Sequence, residues 1–321
     1  MNNQFSSKLK NHIVAFLEEM HALGYSYATE ERILKQFDRF CKENYPDTET
    51  ITPDLGLAWS VRKKDEKNGT FEGRISPVRK LARYMNRNGI VAFVIPQGLG
   101  CGGSRFTPHI FTDEELIDFF ILIDKMNVNP AAPIQHIIYP VLFRLLYSTG
   151  LRPIEAVSLP CKNIDLKSGV LYIKQSKGNR DRYIVLSDEM LEIMRKYWRR
   201  ASEIVPMNLY FFPDSNGESI RITTVSKVFR KYWLKAKKLN NNEKNPRIYD
   251  FRHTFATRSI YSQYCKGTDI NSFLPYLSAY MGHTHLSDTA YYVHLCPEMF
   301  PDTNHIGENN FEDLLPEVSY E

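Results

Sequence analysis

Apolar positions recur at helical spacing along the first ninety residues. Ile13, Phe16, Leu17 and Met20 fall on one helix face, and Ile33, Phe37, Phe40 and Cys41 make a second stripe behind Thr29, a residue suited to an N-cap. Thr52 followed by Pro53 predicts a third helix start, carrying Leu55, Leu57 and Trp59 inward. A fourth helix is predicted over 78–88, with Arg79, Lys80, Arg83 and Arg87 on one side and Leu81 and Tyr84 on the other. Residues 96–103, rich in glycine and without a helical or strand period, read as an interdomain linker. Thr112-Asp113-Glu114-Glu115 has the spacing of a capping box and opens a second domain. There, 137–147 predicts a strongly apolar helix that Gly150 ends or bends. Residues 170–173 and 183–186 predict a hairpin around a loop of Lys, Gly, Asn and Arg, which places Lys177 at its tip. Ser187 caps a further helix, another covers 224–239, and the segments around Arg252, Tyr280 and Tyr292 also read as helical. The pattern predicts a mainly α chain with a small antiparallel sheet.

A chain of 321 residues exceeds one average domain and fits two, with a boundary in the linker at 96–111. The helical first domain covers 1–95, the second 112–300, and an acidic tail 301–321. The net charge of +4 is modest for a nucleic-acid binder, but the tail holds six acids and no Lys or Arg. Residues 1–300 thus carry 41 basic against 31 acidic groups, the balance of a body that meets a phosphate backbone. The five cysteines are scattered, with no metal-ligand or redox spacing, and are expected as reduced thiols. The polar N-terminus and the lack of any apolar run of about 18 residues give no sign of a signal peptide or membrane span. A bacterial cytosolic, nucleoid-associated protein is expected.

The candidate chemistry lies in four places. Arg152 follows Ser148-Thr149-Gly150-Leu151. Lys177 sits in Ser176-Lys177-Gly178-Asn179-Arg180. Arg252 and His253 stand in Tyr249-Asp250-Phe251-Arg252-His253-Thr254, and Gly282-His283 precedes Tyr292 by nine residues. A phenol titrates near pKa ~10 and is a weak nucleophile at neutral pH unless cations and hydrogen bonds draw off its charge. Two guanidiniums can bind the non-bridging oxygens of a phosphodiester, and a lysine can protonate a leaving oxygen. Each residue alone has a plainer reading: a surface arginine, a solvated turn lysine, a core tyrosine.

Together, in this order and spacing, the set resembles the tyrosine recombinases, also called the phage integrase family. The specific motifs cover 113–300, whereas 1–95 is matched only in architecture. The resemblance implies a helical, SAM-like core-binding domain and a mixed α/β catalytic domain that close on duplex DNA as a clamp. It also implies site-specific cutting and rejoining through a 3′-phosphotyrosyl intermediate, without cofactor or metal. Thr149 through Glu155 matches the family's Thr-Gly-Leu-Arg-x-x-Glu, so Glu155 is implied to orient Arg152. The lysine matched by Lys177 is the family's general acid, and His283 would hydrogen-bond the phosphate. Tyr291 competes with Tyr292 as nucleophile; the spacing from His283 favours Tyr292 and leaves Tyr291 to pack inward.

Two features depart from the pattern. Tyr249 stands where the family usually has a histidine credited with taking the nucleophile's proton, and His253 is more often structural, which leaves the general base open. The interval from His253 to His283 is long, with 261–273 as the extra stretch, and looks like the transposon-borne branch, whose members work beside sister recombinases or accessory proteins. Arg79, Lys80, Arg83, Arg87 and Arg180 are the expected phosphate contacts, against the plainer reading of a solvated face. A dimer per site and a tetramer in synapsis are implied, with the acidic tail docking on a neighbouring protomer or staying disordered. His283, His285 and His294 lack a completing carboxylate or cysteine at ligand spacing, so no metal site is expected. The rival readings are a relaxing topoisomerase of type IB chemistry and a DNA-binding accessory protein with catalysis lost.

Overall fold

The computed structural model describes residues 5–99, 107–176, 180–205, 209–237 and 245–295, with the side chains of 175, 176 and 180 left out. The chain divides into two compact units, Met1–Phe106 and Thr107–Glu321.

Among the described residues the first unit holds four helices: α1 (Lys10–Ala22), α2 (Ala28–Asn44), α3 (Pro53–Trp59) and α4 (Asn68–Arg87). Ile13, Phe16 and Leu17 of α1 pack with Leu34 and Phe37 of α2 and with Leu55 and Trp59 of α3 around the long α4. Thr52 caps α3 as expected, its hydroxyl accepting from Leu55 N. Three expectations fail here. The residue before α2 is Tyr27 in the left-handed region at φ 47°, so Thr29 lies inside the helix and caps nothing. Leu57 points outward at 51% exposure, because α3 is two turns long and buries only the side carrying Leu55 and Trp59. The fourth helix starts ten residues before 78. Pro77 sits in its interior and is tolerated because Phe71, Ile75, Val78, Ala82 and Met85 bury one continuous stripe across it.

The second unit opens with α5 (Asp113–Asp124) behind a complete capping box, Glu115 N to Thr112 Oγ1 at 3.2 Å and Thr112 N to Glu115 Oε2 at 3.1 Å. Next come α6 (Gln135–Thr149), the short α7 (Pro153–Val157), and a three-stranded antiparallel sheet of β1 (Ile164–Asp165), β2 (Val170–Ser176) and β3 (Arg180–Val185). The two-residue β1 is too short to leave a sequence period. Helices α8 (Asp188–Ile204), α9 (Ile222–Lys237), α10 (Asp250–Cys265), α11 (Ile270–Met281) and α12 (Ser287–Ala290) complete the unit. The extra stretch at 261–273 is the end of α10, a turn through Gly267 and the start of α11. Phe111, Phe119, Phe143, Phe229 and Phe251 form an aromatic knot that fixes α5, α6, α9 and α10 together. A separate cluster of Ala256, Ile260, Leu274, Leu277, Met281 and Tyr292 joins α10, α11 and the last segment. No helix among the described residues is long and apolar enough to cross a membrane.

Candidate active site

Two helix ends frame the site. α6 stops on Gly150 (φ 61°) and α11 on Gly282 (φ 66°), both in the left-handed region where glycine carries no Cβ penalty. The last carbonyls of a helix have no intrahelical donor and bear the negative end of its dipole, so they attract cations. Three arginines use them. Arg252 donates from Nη1 to Gly150 O at 2.7 Å and from Nη2 to Met281 O at 2.6 Å. Arg152 donates to Gly282 O at 2.7 Å, and Arg182 to Tyr280 O at 2.8 Å.

Glu155 sits between two of these guanidiniums. Its Oε1 accepts from Arg152 at 2.8 Å and from Arg182 at 3.1 Å, and its Oε2 from Arg152 N at 2.9 Å and Arg182 Nη2 at 2.7 Å. Burial works against the charged carboxylate, but the hydrogen bonds and charges of Arg182 and Arg152 outweigh it and hold the group below the usual range. Burial first, then repulsion from Arg152, lowers the Arg252 guanidinium to about 10, which leaves it charged at neutral pH. Three guanidiniums against the carboxylates of Glu155 and Asp288 leave the site cationic, as a phosphate requires.

The tautomer of His283 follows from its partners. Arg252 Nη2 lies 2.9 Å from its Nε2, and Thr289 Oγ1 lies 2.7 Å from its Nδ1. A guanidinium only donates, so Nε2 accepts and Nδ1 carries the proton toward Thr289. Burial, followed by the charges of Arg252 and Arg152, lowers this imidazole to about 4 and keeps it neutral. His253 is lowered to about 4 by burial and by Arg247 and Arg252, and its buried Nδ1 has no hydrogen-bond partner. Tyr292 lies between the two rings, 5.6 Å from the His253 centroid and 6.1 Å from that of His283, and is 4% exposed. Burial raises its phenol above the ordinary value despite the opposing charge and hydrogen bond of Arg252.

Both tyrosines line the cleft; Tyr292 is the more buried, while Tyr291, its ring 6.0 Å away, packs only partly buried against the same cluster. The reason is local: the chain turns from α12 into a 3-10 turn at Val293–Leu295, which directs Tyr292 into the cluster with Ala256 and Met281. The cleft, about 600 Å³, also exposes Arg152, His253, His283 and Asp288. Tyr249 precedes α10 at 41% exposure. Lys177 lies outside the described residues, as does the side chain of Arg180. Among the described residues no group of three or more His, Cys, Asp or Glu could hold a metal ion.

In the first unit the expected basic stripe loses one member. Arg79 is 7% exposed, its guanidinium donating to Ile95 O at 2.8 Å and Pro96 O at 2.9 Å, so it fastens the chain after α4 instead of facing outward. Lys80, Arg83 and Arg87 remain on an exposed face; Lys80 reaches Tyr27 Oη at 3.2 Å and Arg87 pairs with Glu19. Two inner residues were not singled out from sequence, Arg182 and Thr289. The signal for Arg182 was present, since strand alternation puts it on the face of Ile184 and Leu186, where a charge needs partners. Thr289 carried no such signal.

The model of the phage integrase family matches residues 122–299, more than half of the chain. The chain belongs to this family. The integrase is 27% identical over 316 residues to a Sinorhizobium fredii protein named integrase/recombinase y4rB, covering 96% of this chain and 99% of that one. It is 24% identical to the tyrosine recombinase XerC of Lactobacillus delbrueckii subsp. bulgaricus, covering 92% and 94%. Its fold is that of the XerH site-specific recombinase bound to a difH substrate after cleavage (TM-score 0.66, 19% identity, 95% and 86% covered). The Tn1549 transposon integrase in complex with transposon right end DNA shares it too (TM-score 0.65, 15% identity, 88% and 94% covered). The mainly α architecture with one small antiparallel sheet is common to this integrase and these neighbours.

Proposed function

We propose that this integrase is a site-specific DNA recombinase, carried by a mobile element, that cuts and rejoins duplex DNA through Tyr292. The observation that carries the reading is the meeting of Arg152, Arg252, His283 and Tyr292 at the ends of α6 and α11. In the cutting step the Tyr292 oxygen attacks the scissile phosphorus, the bond to the 5′-oxygen breaks, and the 3′-phosphate stays on the tyrosine. Arg152 and Arg252 neutralise the charge that develops on the non-bridging oxygens, and His283 adds a hydrogen bond. Lys177 gives its proton to the departing 5′-oxygen. The phenolic proton passes to a base in the same cleft. His253 suits this role better than the exposed Tyr249, being neutral, having a ring nitrogen without a partner, and lying with its ring 5.6 Å from that of Tyr292. Rejoining reverses these transfers and conserves the phosphoester energy.

Lys80, Arg83 and Arg87 hold phosphates of the flanking duplex. Exchange between paired sites takes two protomers per site and four per synapse, and the natural substrate is the ends of the encoding element, reached at the nucleoid. The test is incubation of the protein and of Tyr292→Phe with nicked DNA from those ends, followed by denaturing electrophoresis. A covalent adduct present with the parent and absent from the variant is expected. An adduct that persists in Tyr292→Phe transfers the role to Tyr291, and no adduct from either despite tight binding overturns the reading.

A further inference from the structure

We propose that Arg182, on the hairpin strand β3, is a positioning residue that sets the phosphate-binding geometry of Arg152 through Glu155. The inference rests on the recombinase reading of this site.

Arg182 is a charge on the inward face of a strand. It is 8% exposed and stands in register opposite Ile173, with Ile184 next on the same face. A buried cation is costly unless every donor is used, and here its forked head is taken up on both sides. Nη1 and Nη2 grip the two oxygens of Glu155 at 3.1 and 2.7 Å, and Nε donates to Tyr280 O at 2.8 Å. The other side of the same carboxylate holds Arg152 by backbone and side chain.

Without Arg182, Glu155 has one partner and can follow Arg152 as it shifts. With it, the carboxylate is clamped in a plane and Arg152 has one place to go. The contact at Tyr280 sits two residues before Gly282, whose carbonyl is the second anchor of Arg152. Gly282 shows how close the fit is: a Cβ there would come within 3.0 Å of Arg182 Nη1. One side chain thus fixes both of the groups that aim Arg152. Lysine cannot reproduce this, since a point ammonium lacks the planar fork that meets a carboxylate and a carbonyl at once.

The test is a double-mutant cycle on single-turnover cleavage of nicked DNA, with Arg182→Lys, Glu155→Gln and the pair. DNA affinity and thermal melting are read for each protein. Arg182→Lys is expected to keep affinity within about threefold while cleavage slows roughly 10- to 100-fold, the cost of a misaimed catalytic group. In the Glu155→Gln background the same change should slow cleavage less than threefold, since its route to Arg152 is already gone. Full activity of Arg182→Lys would show that charge alone is needed and overturn the proposal, as would effects that multiply independently in the pair. A loss of cleavage that only tracks lost melting temperature would reduce Arg182 to a fold residue. If the parent protein itself forms no adduct, the recombinase reading fails first, which keeps the two outcomes apart.

Discussion

Replacing Gly150 by alanine tests the close approach on which the Arg252 anchor depends. Gly150 has φ 61°, and a Cβ there would lie 2.4 Å from Cδ1 and 2.8 Å from Cγ of Phe255. The left-handed conformation costs a non-glycine residue about 1–2 kcal/mol. Pushing the Phe255 ring, which stacks on Tyr280 at 5.6 Å, adds an overpacking cost of about 1–3 kcal/mol. For a domain of this size each kcal/mol lowers Tm by about 2–4 °C. Gly217 supplies the control: its φ is 81° and nothing lies within 4 Å of its added Cβ, so Gly217→Ala isolates the conformational term. Thermal unfolding followed by circular dichroism should therefore place Gly150→Ala at least about 2 °C below Gly217→Ala. Phe255→Leu added to Gly150→Ala should recover part of that difference. Because the Gly150 carbonyl holds Arg252, cleavage should fall in Gly150→Ala and stay near the parent rate in Gly217→Ala. Equal melting of the two alanine variants, or no recovery with Phe255→Leu, would refute the steric reasoning.

Stability should fall as pH drops from 6.5 toward 4. His253 and His283, lowered to about 4 in the fold, stay neutral there while the unfolded chain takes up protons. Urea midpoints at a series of pH values check this, and a flat profile over that window would contradict it. Below pH 4.5 a further loss should set in, because carboxylates held below their ordinary value, Glu155 and Glu66 among them, lose their stabilisation as they protonate; Glu155→Gln should reduce that phase and leave the part due to Glu66. Thr289→Val leaves the His283 Nδ1 proton without an acceptor, at a cost of about 1–3 kcal/mol in chemical denaturation. Changing Lys80, Arg83 and Arg87 to glutamine should weaken DNA binding at all sequences and reduce the salt slope by about 0.9 for each phosphate that is no longer neutralised. Arg79→Gln should instead lower stability, since it fastens Ile95 and Pro96.

The elements that announced themselves in sequence are those whose local chemistry is complete in a few residues: Thr52-Pro53, the Thr112 box and Ser187. Arg152, Arg252, His283 and Tyr292, which meet at the ends of α6 and α11, were legible because order and spacing along the chain survive folding. Failures came where a long-range partner decides. Arg79 looks like the other cations of α4 until Ile95 and Pro96 return to accept its hydrogen bonds. The first ten residues of α4 were missed because the stripe that carries the helix through Pro77 needs neighbours from three other helices. Adjacent tyrosines are equivalent in sequence, and only the turn after α12 decides that Tyr292 is the more deeply buried of the two at the cleft. Arg182 was legible in principle through strand alternation, but its role depends on Glu155, 27 positions earlier, and on the end of α11.

The bond between His283 and Thr289 also makes the histidine an indicator of whether the attacking segment is seated. Thr289 is fully buried and stands three residues before Tyr292 on the same short stretch, while Arg252 fixes the other ring nitrogen from the opposite side. If that stretch lifts away, Arg252 still holds Nε2 as the acceptor, but the Nδ1 proton loses its hydrogen bond. The ring nitrogen chemical shifts of this one residue therefore distinguish a loaded from an unloaded protomer. In an assembly of several protomers, that signal would count how many of them are armed.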